Sequence, residues 1–77
     1  MTAPKFRTID VRPLLARGEE PLPLLRAQVD ALAAGQGLTV IAPFMPAPLM
    51  EMLKGEGYQV TAEHRADGSW AVNFWRE

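Results

Sequence analysis

The chain has 77 residues, 48% of them hydrophobic, a formal net charge of −1 and no cysteine. This describes one small domain, 1–77, with enough apolar content for a packed core and too much for a disordered chain. The missing cysteine excludes disulfides, thiolate catalysis, cysteine-bound zinc and iron–sulfur clusters within this chain, and the near-neutral charge gives no general pull toward nucleic acid or anionic membrane.

Met1 to Lys5 carries no apolar stretch, so no signal peptide is expected, and no apolar run reaches the ~20 residues of a membrane span. A cytoplasmic protein fits these features. Phe6 to Val11 predicts the first strand, with Ile9 and Val11 on one face and Thr8 and Asp10 on the other. Arg12-Pro13 ends it, because proline and the residue before it resist further pairing. Leu14 to Gly18 is expected to be a loop that packs down through its apolar residues.

The first helix is predicted from Pro21 to about Ala34. Proline suits a first turn, where its missing N–H would go unpaired anyway. Glu20 then lies against the positive end of the helix dipole, although glutamate is not a favoured N-cap. Leu22, Leu25, Val29 and Leu32 form one stripe at helical spacing, and Gly35 and Gly37 supply the stop. Leu38 to Ala42 predicts a short strand buried within the sheet, ended by Pro43. A second helix follows from Pro46 or Pro48 to Lys54, with Leu49, Met52 and Leu53 inward and Gly55 and Gly57 at its end. Tyr58 to Arg65 and Trp70 to Trp75 predict two strands, joined at Asp67-Gly68 by a tight primed turn that needs positive φ.

The order is β-α-β-α-β-β. It predicts an α/β (α+β) two-layer sandwich: a mixed four-stranded sheet, two helices on one face, and the other face open to solvent or a partner. Both parallel strands then end at one edge, which brings together Asp10, Arg12, Glu19, Glu20, Pro21, Phe44 and Met45 as the candidate ligand- or partner-binding residues.

Each of these residues also has a plainer role. Glu19 and Glu20 can hold a cation or a partner's basic residue, or simply favour the helix dipole; a metal site would need more ligands, and Asp10 is the only obvious recruit. Asp10 and Arg12, expected on one strand face, can form a structural ion pair, or Arg12 can orient Glu20. A phosphate site is disfavoured, because Pro21, Pro23, Pro46 and Pro48 remove N–H donors at both helix starts and the glutamates repel an anion. His64 lacks the neighbours for metal or catalytic work. Met50 and Met52 point to different sides of a helix, so core packing for Met52 and loop or surface contact for Met45 and Met50 suit them better than soft-metal binding. Trp75 is a candidate for exposure on the open sheet face. No catalytic residue, metal or cofactor is expected.

Asp10-Val11-Arg12, a loop, Glu20-Pro21-Leu22-Pro23-Leu24 and a closing Asp67-Gly68-x-Trp70 strand together resemble the TusA-like (SirA-like) sulfur-carrier family. That family has the same element order and an Asp-x-Arg-Gly, then Cys-Pro-x-Pro signature, whose cysteine carries a persulfide at the start of helix one. Here the cysteine position is Glu20, which cannot hold a sulfane sulfur, and the loop before it is longer. The chain is thus similar to the cysteine-less, uncharacterised branch (domain of unknown function 2249), as Ala42-Pro43-Phe44-x-Pro46-x-Pro48-Leu49 also suggests; that branch often carries an acidic residue where this chain has Met45. Members often stand alone or beside haemerythrin-like and other metal or redox modules. The resemblance implies a non-enzymatic interaction or ligand-binding module whose partner is a protein, with redox and metal-binding proteins among the candidates. The alternative is an accessory role in sulfur, redox or metal metabolism through Glu20. Neither nucleic acid nor membrane is an expected partner.

Overall fold

A computed structural model describes residues 5–33 and 35–76. Met1 to Pro4, Glu77 and Ala34, the expected end of the first helix, lie outside them. In chain order the elements are β1 (Lys5–Asp10), α1 (Arg12–Ala16), α2 (Leu22–Asp30), β2 (Gln36–Ala42), α3 (Ala47–Gly55), β3 (Gln59–His64) and β4 (Trp70–Trp75). The sheet runs β1-β2-β4-β3; β1 and β2 are parallel, and β4 is antiparallel to both its neighbours. This is the expected mixed α+β sandwich, with one more helix than expected.

The core lies between one sheet face and the helices. Leu38, Val40 and Ala42 of β2 and Val72 and Phe74 of β4 meet Leu25 and Val29 of α2 and Leu49 and Leu53 of α3. Period-2 alternation in the strands and helical spacing in α2 and α3 put these side chains on facing surfaces. The other sheet face carries a polar row: the Thr39 hydroxyl donates to Asn73 Oδ1 at 2.7 Å, and Asn73 Nδ2 donates to Thr61 Oγ1 at 3.2 Å. Beside it Phe6 and Trp75 meet edge to face, their centroids 6.0 Å apart. No element of the described residues covers this face.

Four local expectations are corrected. Arg12 to Ala16 is a helix, not a strand end followed by a loop. Proline 13 fits its first turn, and Gly18, at φ 75°, closes it: Gly18 N–H donates to Leu15 O and Glu19 N–H to Leu14 O, the paired bonds of a Schellman motif. Pro21 caps α2 rather than opening it, and α2 ends at Asp30. Gly37 is not a helix stop but a residue of β2, where a Cβ would come 2.5 Å from the Phe6 ring. The β3–β4 connection is not a primed turn, since among the described residues no non-glycine has positive φ. Gly68 N–H donates to Arg65 O at 3.0 Å, and Gly68, at φ 86°, turns the chain back, which is a type I turn with a glycine bulge.

Candidate functional site

Because β1 and β2 are parallel neighbours, they end at the same edge, and each is followed by a connection that must climb over the helical layer. After β1 that connection is α1 and the start of α2; after β2 it is Pro43 to Pro46 and the start of α3. The connections do not close on each other. Between them lies a cleft of about 200 Å³. Val11, Val40 and Ala42 form its floor, and Leu25 and Leu49 its inner walls. Its remaining lining is Leu15, Glu20, Pro21, Leu22, Phe44, Pro46 and Pro48, so among the described residues Glu20 is the one charged residue there. The cleft sits beyond the carboxyl ends of parallel strands, the usual ligand position in open α/β sheets.

Around the cleft mouth the surface is unusually apolar. Leu22 is 43% exposed and Phe44 54%, with Met45 next to Phe44 at 46%; among the described residues the other large hydrophobic side chains so exposed are Phe6 and Leu24. Exposed apolar groups gathered around a concavity mark interaction surfaces more often than singly scattered ones do.

The seven expected site residues divide into two groups. Glu20, Pro21 and Phe44 line the cleft, and Met45 flanks Phe44. Asp10, Arg12 and Glu19 do not line it. Arg12 grips Asp10 through one edge of its guanidinium: Nε donates to Oδ1 at 2.9 Å and Nη2 to Oδ2 at 2.7 Å. Its Nη1 donates to Asp67 Oδ2 at 3.2 Å, tying the end of β1 to the β3–β4 turn. Arg12 stands in α1, so the expectation that it shares a strand face with Asp10 fails, and its donors go to Asp10 and Asp67 rather than orienting Glu20. Glu19 pairs with Arg17.

These contacts set the local electrostatics. The Arg12 guanidinium holds the Asp10 carboxyl below its ordinary range. Asp67 is lowered to about 2, chiefly because the buried Ser69 hydroxyl donates to it, with the Ser69 N–H adding a second bond at 2.9 Å. A carboxylate that accepts several hydrogen bonds resists protonation. Glu20, by contrast, has no hydrogen bond or ion pair with any of the described residues.

The described residues contain no group of three or more His, Asp or Glu side chains placed to hold a metal ion. His64 lies against Trp70 with the rings tilted by 40° and their centroids 4.8 Å apart. Met52 packs partly buried against the core and Met45 is exposed, as expected, whereas Met50 packs partly buried against the core rather than making only surface contact. No helix of the described residues is long and apolar enough to cross a membrane.

Sequence reasoning named Glu20, Pro21 and Phe44, which line the cleft, together with Asp10, Arg12 and Glu19, which do not, and it missed the apolar floor and α1's share of the wall. The signal for the latter was present: a proline near the start and a glycine just past the end of Arg12–Ala16 bracket a helix.

No curated protein and no solved structure matches the chain. The family described as an uncharacterized conserved protein (DUF2249) matches residues 8–76, from within β1 through the end of β4, and the chain belongs to that family.

Proposed function

We propose that the chain is a non-enzymatic interaction module, a relative of the sulfur carriers without their cysteine, and that it holds a protein partner by a side chain inserted into the cleft. The observation that carries this reading is the cleft itself, with exposed Leu22 and Phe44 at its mouth. At about 200 Å³ it is smaller than the roughly 300–1,000 Å³ of sites for drug-sized ligands. It matches one or two apolar side chains of a partner, the buried anchors that dominate protein interfaces. Among the described residues Glu20 is the only ionisable group that lines the cleft, and no nucleophile–base pair is brought together there.

The test replaces Phe44 with a photo-crosslinking residue in the native cells, and Thr61 on the open sheet face in parallel. A discrete protein adduct from position 44 that disappears on adding Leu22→Asp supports the reading. An adduct from position 61 alone moves the interaction to the open sheet face and removes the cleft from it.

A further inference from the structure

We infer that the segment occupying the cleft is a peptide of a partner protein in which an apolar anchor stands next to a lysine or arginine, with Glu20 as its counter-charge. This rests on the reading of the cleft as a partner-binding site and specifies what it selects.

The argument is one of charge left over. Cations near the cleft are already engaged: Arg12 with Asp10 and Asp67, Arg17 with Glu19, and Arg26 with Asp30 and Glu56. The Arg17 pair is neutral, and the Arg12 and Arg26 clusters each hold two carboxylates against one guanidinium, so none of these arginines has positive charge to spare for Glu20. Glu20 is exposed, lines the cleft, and has no partner among the described residues. The mouth therefore presents an apolar surface with one uncompensated negative charge at its edge.

The backbone adds to this bias. Pro21, Pro23, Pro46 and Pro48 lack N–H groups, so both helix starts at the rim have lost donors that could have received a carboxylate or phosphate. An acidic segment would meet Glu20 with few donors to offset it. A basic one would meet a carboxylate on a surface otherwise built for apolar contact. A solvated rim charge adds little to affinity, but it sets which partners are accepted and how fast they arrive.

The test selects a random short-peptide library on the intact chain and on Glu20→Arg in parallel. A recovered peptide and its copy with Glu in place of each Lys and Arg are then titrated by amide-resolved NMR. Glu20→Gln serves as a second variant, and circular dichroism confirms that all three proteins fold. The expected result is that the basic peptide binds the native chain about tenfold or more tightly than its acidic copy, moving the signals of Leu15, Leu22 and Phe44. Glu20→Gln should erase the preference and Glu20→Arg reverse it. If both copies bind equally and move those signals, the counter-charge role is wrong and the cleft reading stands. If no recovered peptide moves them, the cleft reading fails and this inference with it.

Discussion

Asp67 and Ser69 show how a loop residue with no part in the cleft still helps to shape its edge. The Ser69 side chain is buried and donates to Asp67, which also receives Arg12 across the end of the sheet. Asp67 is lowered from 3.8 to about 2. As pH falls below 3.8 the unfolded chain takes up this proton before the folded chain does. The stabilisation from Asp67 is thus present above that pH and is lost between 3.8 and about 2. Urea unfolding at stepped pH should show this decline, and Asp67→Asn should flatten it without abolishing it, since Asp10 and Glu56 are lowered in the same direction by Arg12 and Arg26. Ser69→Ala removes the largest cause of the shift, so the Asp67 carboxyl, followed by carbon-13 NMR, should titrate closer to its ordinary value. No movement would assign the shift to the Ser69 N–H and the neighbouring Arg65 and Arg12 instead.

At the scale of elements, the cleft depends on α1, which is too short to reveal itself by periodicity. β4 was legible residue for residue from Trp70 to Trp75, because alternation repeats within a few positions. Arg12 to Ala16 covers little more than one helical turn, so its apolar residues carry no repeat, and Pro13 reads equally as a strand stop. The rim residues Glu20, Pro21 and Phe44 were legible because topology alone places the ends of two parallel strands together. The floor was not, because Val11, Val40 and Ala42 look like any core residues until the two connections are seen to stand apart. Gly18 tests the assignment of α1. Its φ of 75° is strained for a residue with a Cβ, although a Cβ there would touch nothing within 4 Å. Gly18→Ala should therefore cost about 1 kcal/mol from backbone conformation alone, read by urea unfolding, with Gly18→Asn costing less. A neutral Gly18→Ala would mean that the chain does not reverse there.

Across the whole molecule, stability is concentrated away from the cleft mouth. For 77 residues a total of about 4–12 kcal/mol is ordinary. Phe74, fully buried on β4, is among the largest contributors, and Phe74→Ala should remove about 3–5 kcal/mol of that total by urea unfolding, while Phe74→Leu should fold. The residues that give the sheet its strength, Leu38, Val40, Val72 and Phe74, all lie on the two inner strands, each paired on both sides. By contrast α1 has no buried residue, and a five-residue helix cannot hold itself. Amide hydrogen exchange should therefore separate the two parts of the site. Leu38 to Ala42 and Ala71 to Phe74 should exchange only through global unfolding, and Leu14 to Glu19 by local opening at far lower free energy. The floor of the cleft would then be fixed while its α1 wall yields, so the wall can adjust to an inserted side chain without disturbing the sheet. A bound peptide should slow exchange in Leu14 to Glu19 and leave the inner strands unchanged. Equal protection of α1 and β2 in the free chain would instead mean that the cleft is rigid and accepts only segments that fit its present shape.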